Sequence, residues 1–483
     1  MKLSTYLKLG VTQHEIDFVD IDIENDTPLF IDPHFLASRC DPWSRDATGS
    51  IRSFFRHFLT LVRSGNQELA LELFLSLREP NETRLGLSKG RSQGRGVGHD
   101  DAAKIFKSLL ASKAVQTGLV EDIEDCRLFV DGVDKDKTSD MTTNIIRRQL
   151  ITYTQRQCKL WKIPMTPDVP SGKLWNRAEK KWEEIHTEMF VVGSNKLLLV
   201  PKAIVAYSLS YTPQCYHQHF VLNYLQSYHL KIGSALVKER RPKKGRERVR
   251  YVTKKSLKET EADFSKEFLT TFTQSHPVVF RSFKDSSRTR TTSLENQELT
   301  PVSVELVIDR LLTSLKEIEP GNDGAGRFHR IVAAALELIL YPRLTSPEIE
   351  REINDGRKRI DLVFDNAAET GFFHLLHSTH QTPCQYVMVE CKNYGRELGN
   401  PELDQMIGRF SPNRGKFGII VCRSLADEKL FSRRCADSYE AQQGTIISLT
   451  DADIVHMLSE LRAGRGHPED ALFAAKLREV ALR

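Results

Sequence analysis

The sequence predicts an α/β protein in two folded parts: a larger N-terminal α/β domain over residues 1–230 and a C-terminal domain of strands and helices over residues 301–483. Three observations carry this. A chain of 483 residues exceeds one ordinary domain. Apolar residues recur with both the period of two of a strand and the 3.6 period of a helix. Between the two parts lies a dense basic block, "KERRPKKGRERVRYVTKKSLK" from Lys238 to Lys258, with eleven Lys or Arg against Glu239 and Glu247. Its local charge of +9 exceeds the +5 of the whole chain, so the remainder sums to −4. Residues 231–300 are therefore expected to be a basic connecting region.

Composition sets further bounds. With 40% hydrophobic and 28% charged residues the chain has ordinary soluble character, and no apolar run reaches the roughly 18 residues of a membrane span. The opening "MKLSTYLKLGVTQHEIDF" has no apolar signal core, which predicts a cytoplasmic protein without membrane partners. Eight cysteines are scattered with no CxxC pair, against both a disulfide framework and a zinc ribbon.

In chain order, "EIDFVDIDIE" alternates as a strand does, "PLFIDPHFL" reads as a short strand entering a Pro turn, and "SIRSFFRHFLTLVRSG" has helical spacing stopped by Gly65. A Gly-rich basic loop at residues 86–98 precedes a helix opening at His99 and Asp100. It could present backbone N–H groups to phosphate or serve as a mobile connector, and it lacks the Gly-Lys-Ser/Thr of a P-loop. "CRLFVDGV" reads as a second strand. The acids that follow, Asp131, Asp134, Asp136 and Asp140, could bind a hard cation, or Asp140 could sit beside Ser139 at a helix start. "KLLLVPKAIVAYS" reads as a buried strand with a Pro stop.

From residue 301 the pattern is plainer. "PVSVELVIDRLLTSLKEIEPG" is an amphipathic helix, and "GRFHRIVAAALELILYP" is another, with Phe328, Ile331, Val332, Ala335 and Ile339 in one apolar stripe. Glu337 lies off that stripe with Arg330, Ala333 and Ala334. Three apolar strands follow, "RKRIDLVFDN", "YVMVECKNYG" and "GKFGIIVCRS". In the first, Ile360, Leu362 and Phe364 are expected on one face and Asp361 and Val363 on the other. In the second, Glu390 and Lys392 share a face while Cys391 points away, so its thiol is expected in the core. An acid within a strand core needs a partner, because an unpaired buried charge is costly. The helix "NPELDQMIGRF" then buries Leu403, Met406, Ile407 and Phe410, with Gln405 and Arg409 one turn apart on another face.

An acid on a helix, an acid in a strand, Glu-x-Lys in the next strand and a Gln on the helix after it form an order that resembles the PD-(D/E)XK, or restriction-endonuclease-like, nuclease superfamily. The resemblance covers roughly residues 320–450. It implies a C-terminal mixed sheet flanked by helices and hydrolysis of nucleic acid, DNA in preference to RNA, with Mg²⁺ or Mn²⁺. It further implies that Asp361, Glu390 and the Cys391 carbonyl hold the metal, with Glu337 as a further ligand or water-bridged acid. Lys392 would position or deprotonate the attacking water, and Gln405 would orient the cluster.

The arrangement also resembles bacterial restriction and anti-phage defence proteins, whose second domain senses a trigger, recognises substrate or pairs with a partner. A homodimer or a partner protein fits that pattern. Arg240, Arg241, Lys243, Lys244, Arg246, Arg248 and Arg250 are the expected phosphate contacts. The competing expectation is a non-catalytic nucleic-acid-binding or signalling protein that keeps the fold. "HLLHSTH" offers His374, His377 and His380 as a rival zinc site, or as an exposed loop.

Overall fold

The computed structural model describes residues 1–86, 99–209, 211–240, 249–290 and 292–482. Residues 87–98 of the Gly-rich loop at 86–98 and five of the seven basic residues named above, Arg241, Lys243, Lys244, Arg246 and Arg248, lie outside the described residues.

The fold is mixed α/β, with its largest sheet in the C-terminal half. Two helices of the N-terminal part matter for the site: α1 (Pro42–Arg63) and α2 (Arg147–Trp161). The Asp41 carboxylate caps α1 by accepting from the Ser44 N–H at 2.9 Å, and Pro42 fits the first turn, where no N–H is needed. The other strands of this half form small sheets, among them one of Thr166–Pro170, His186–Val192 and Asn195–Leu197.

Three expectations fail here. The first half of "CRLFVDGV", Cys126–Phe129, ends a helix, Ile123–Phe129, and the rest is not a strand, because Asp122 and Asp125 close a capping box around the helix's first turn. Asp140 lies inside the helix Lys135–Ile145, whose cap is Asp134, accepting from the Lys137 N–H at 3.0 Å. "EIDFVDIDIE" forms only isolated bridges, such as Phe18 with Pro201.

The expected connecting region is not a connector. Val252, Leu257, Ala262, Leu269, Phe272, Phe280 and Phe283 are buried in the same core as Leu3, Phe54 and Leu150. The helices Lys254–Thr260, Lys266–Ser275 and Pro277–Arg290 thus complete the N-terminal body. Apolar residues at helical spacing on their inner faces outweigh the charge on the outer ones.

The C-terminal half begins with the helix Val304–Lys316 and α3 (Asn322–Leu340). Five strands follow: β1 (Leu344–Ile353), β2 (Lys358–Asn366), β3 (Tyr386–Lys392), β4 (Phe417–Cys422) and β5 (Thr445–Thr450). They lie side by side in chain order, antiparallel across β1–β2–β3 and parallel across β3–β4–β5. Parallel neighbours need a crossover. The first crossover contains α4 (Asn400–Ile407), and the second is α5 (Glu428–Glu440). β4 is buried along its whole length, as a strand covered on both faces must be.

One face of the sheet packs Leu362, Phe364, Val389, Cys391 and Val421 against α3 and the helices Asp451–Arg462 and Pro468–Ala481. The other packs Val363, Met388, Ile420 and Ile446 with Leu403 and Met406 of α4 and Phe431 and Cys435 of α5. Ile360 joins this second cluster instead of following Leu362 and Phe364; it lies beyond the last β2–β3 pair and is held by β1 alone, opposite Arg351. All eight cysteines are free. Among the described residues no helix is long and apolar enough to cross a membrane.

The two halves meet through buried polar groups. The Lys202 ammonium, fully enclosed, sits 3.1 Å from the Glu337 carboxylate of α3 and 4.1 Å from the centre of the Tyr341 ring. Asp17 accepts from the Tyr153 hydroxyl at 2.6 Å beside them. The Trp43 N–H donates to Asp365 of β2 at 3.0 Å, and the Gln157 amide donates to the Pro347 carbonyl at 3.0 Å. Leu160 of α2 packs into the C-terminal core.

Burial pushes the Glu337 carboxyl up to about 8 from its ordinary 4.5, against the pull of Lys202. Between those values the folded chain keeps a proton that the unfolded chain releases, so Glu337 lowers stability as pH rises through the window. Urea midpoints across that window are expected to fall less steeply in Glu337→Gln than in the wild type. Above pH about 8, where Glu337 is ionised, Lys202→Met is expected to cost ~3–5 kcal/mol, and Lys202→Met with Glu337→Leu to recover most of that loss.

Candidate active site

β2 and β3 pair antiparallel, with Leu362 opposite Val389. One residue further in that register, Asp361 comes level with Glu390 on the same face. The Cys391 N–H donates to Asp361 Oδ2 at 2.9 Å, which ties the acid to the neighbouring strand. Glu390 is fully buried. Its Oε2 accepts from Lys392 Nζ at 3.2 Å and from Gln405 Nε2 at 2.9 Å, and its Oε1 accepts from Arg409 Nε at 3.4 Å. Lys392 Nζ also donates to Gln405 Oε1 at 3.0 Å. The structure thus brings Asp361, Glu390, Lys392 and Gln405 together.

Local features hold these groups in place. Gly399 caps α4, its N–H donating to Glu402 Oε2 at 2.9 Å, and Pro401 lies in the first turn. The helix lies close on β4: a Cβ built on Gly418 would come within 2.5 Å of Met406 Sδ. That approach sets Gln405 over the end of β3. Beyond β3, the Asn393 amide donates to the Glu319 and Gly321 carbonyls at 2.9 and 2.8 Å, which fastens the strand end to the start of α3. Arg423 supports the same corner, donating to Asn393 Oδ1 at 3.0 Å and to Asp451 Oδ2 at 2.7 Å.

Glu337 does not join the cluster. His329, on the same helix, reaches the Cys391 carbonyl with its Nε2 at 3.2 Å. Glu337 stands eight residues further along α3, about 12 Å at 1.5 Å per residue, and is committed to Lys202. The helix therefore presents a histidine where an acid is expected. His329, Arg409 and Asn393 were not assigned to the site from sequence. For Arg409 a signal was present, its place one turn after Gln405; for His329 it was its place two turns before Glu337 on the same helix.

Burial pushes Glu390 up to about 7, and the negative charge of Asp361 adds to the rise, while Lys392 and Arg409 oppose it. The Cys391 thiol is pushed well above its ordinary range by burial and lies on the opposite face, in the core. His374, His377 and His380 are exposed on and just after the helix Gly371–Ser378, whereas Cys384 is buried. Among the described residues no three His, Cys, Asp or Glu side chains form a ready-made metal cage. A donor set of Asp361, Glu390 and the Cys391 carbonyl still fits a hard cation. The Asp361 charge that raises the cost of ionising Glu390 would be offset by a divalent cation, and Mg²⁺ keeps several waters in addition to a few protein oxygens. Burial also pushes Asp140 up to about 8, helped by Asp136, Glu79, Asp134 and Asp26.

Residues 8–212 match a family described as a domain of unknown function (DUF8370). The chain is similar to the "Putative transposon gamma-delta 80.3 kDa protein" of Escherichia coli (strain K12), with 27% identity over 164 residues. That alignment covers 33% of this chain and 23% of the relative, so the chain spans less than a quarter of that protein's length. No solved structure matches the chain. The family match falls within the N-terminal body, whereas Asp361, Glu390, Lys392 and Gln405 belong to the C-terminal sheet and its helix.

The opposing influences on Glu390 give a signed prediction. In an NMR titration of side-chain carboxyl carbons, Lys392→Met should move the Glu390 midpoint above about 7 and Asp361→Asn should move it below.

Proposed function

We propose that the chain is a metal-dependent endonuclease of the PD-(D/E)XK type, hydrolysing phosphodiester bonds in DNA rather than RNA, in restriction or anti-phage defence. The observation that carries this is the joining of Asp361, Glu390, Lys392 and Gln405 through hydrogen bonds and register at the edge of two adjacent strands. The relative's description as a transposon protein supports DNA as the polymer.

Asp361, Glu390 and the Cys391 carbonyl would hold Mg²⁺ or Mn²⁺, which supplies charge neutralisation at the scissile phosphate and lowers the pKa of bound water. Lys392 bridges Glu390 and Gln405, so its ammonium is fixed where it can orient a water and offset phosphate charge. Gln405 holds both partners of that pair. Arg409 balances the second Glu390 oxygen, and His329 braces the Cys391 carbonyl. Arg240 and Arg250 lie exposed on a hairpin, in the strands Lys238–Arg240 and Val249–Tyr251, where they can meet phosphates.

Plasmid, linear DNA and RNA incubated with the full chain in Mg²⁺ or Mn²⁺ are expected to show DNA cleavage, lost in Asp361→Ala and in Lys392→Ala with circular dichroism unchanged. Cleavage that survives both substitutions rejects the mechanism. Tight binding without cleavage under either metal leaves a non-catalytic nucleic-acid-binding protein. Arg240→Ala with Arg250→Ala should weaken DNA binding and flatten its salt dependence, the logarithmic slope changing by about 0.9 for each phosphate that is no longer neutralised.

A further inference from the structure

A cavity of about 380 Å³ lies where α1 and α2 meet the second face of the sheet. This volume falls within the roughly 300–1,000 Å³ of small-ligand sites. Val363 and Met388 line it. They are the next residues on the same face after Asp361 and Glu390, so the cavity begins about 7 Å along the strands from the candidate active site.

Its chemistry is selective. Arg148, Arg156, Arg351 and Arg414 line it, with Asp46, Glu348 and Asp365 as the acids. Burial holds Asp365 well above the ordinary carboxyl range. Arg148 pairs with Glu183 and Asp46 with Arg177, both partners lying outside the lining, which leaves Arg156, Arg351 and Arg414 facing the one carboxylate of Glu348. Arg156 and Arg351 share the single carboxylate of Glu348, at 3.2 and 3.0 Å. Arg414 donates from Nε to the Arg409 carbonyl at 3.2 Å and, among the described residues, has no carboxylate partner.

Two polar atoms of the lining residues are also unmatched. The Trp43 indole Nε1 and the Gln149 amide Oε1 are buried with no hydrogen-bond partner among the described residues. Both side chains are more than nine-tenths enclosed, at 8% and 7% exposure. The rings of Trp43 and Tyr386 beside surplus guanidinium groups match a planar heterocycle bearing a phosphate.

We propose that this cavity binds one nucleotide, its phosphate on Arg156, Arg351 and Arg414 and its base beside the rings of Trp43 and Tyr386. The nucleotide is either free or one residue of a bound strand that continues toward Asp361 and Glu390. This inference shares the nucleic-acid side of the proposed function and is independent of hydrolysis.

Isothermal titration of the full chain in EDTA, with deoxymononucleotides in one arm, a short single-stranded deoxyoligonucleotide in a second and inorganic phosphate in a third, tests it. Saturable binding of mononucleotide or oligonucleotide, with phosphate alone weaker, is expected. Mononucleotide binding identifies a free ligand, and oligonucleotide binding alone identifies a strand residue. Arg351→Gln and Arg414→Gln, each with unchanged circular dichroism, should weaken binding about tenfold, as removing a charge-assisted hydrogen bond does. Trp43→Phe should weaken it as well. No binding in either nucleotide arm, equal binding of phosphate alone, or wild-type affinity in both arginine variants overturns the proposal. Cleavage assays on the same preparations keep the two readings apart: cleavage without nucleotide binding rejects the cavity alone, and nucleotide binding without cleavage rejects the nuclease alone.

Discussion

The candidate site depends on one interaction, the hydrogen bond from the Cys391 N–H to the Asp361 carboxylate. It forms where the β2–β3 ladder runs out, just past the Leu362–Val389 pair. A slip of one residue in that register would turn Asp361 or Glu390 to the opposite face. Everything else in the site is arranged around the level set there. Lys392 lies two residues beyond Glu390 on the same face, α4 lays Gln405 across both, and Asn393 anchors the strand end to α3.

The cost of that arrangement appears in Glu390. A fully buried carboxylate facing a second acid is held partly neutral near pH 7, even with Lys392, Gln405 and Arg409 donating to it. Such a group gains from any added positive charge and loses from any removal of its donors. A carboxyl so perturbed by burial and by a specific charged neighbour marks a candidate functional site.

Much of the C-terminal half was legible in the sequence because its strands are short apolar runs bounded by turns and its helices carry clean stripes. Period two fixed which of Asp361, Glu390 and Lys392 share a face, and the order of these residues with Gln405, through the family resemblance it carries, singled out the four. Glu337 was misread for the converse reason. Periodicity shows that a side chain leaves the apolar stripe, not what it meets, and its partner Lys202 comes from the other half of the chain. "CRLFVDGV" was ambiguous in another way, since a brief apolar run suits helix or strand and the capping acids upstream decide it. The basic segment misled by its charge: Leu257, Phe272 and Phe283 are spaced widely enough to be overlooked beside the lysines, yet they complete a core.

The enclosed Lys202 and Glu337 have a consequence for how such proteins diversify. The ammonium and the carboxylate lie on opposite sides of the junction between the two halves, each out of reach of water. A recombination event that grafted this sheet onto a different N-terminal body would bury Glu337 with no cation, and the reciprocal product would bury Lys202 beside Tyr341 with no acid. At roughly 1–3 kcal/mol for an unsatisfied buried polar group, and more for the ammonium, either chimera would lose a large share of a typical domain's stability. The halves are therefore expected to be inherited as a unit, with variation confined to the surfaces that face away from their junction.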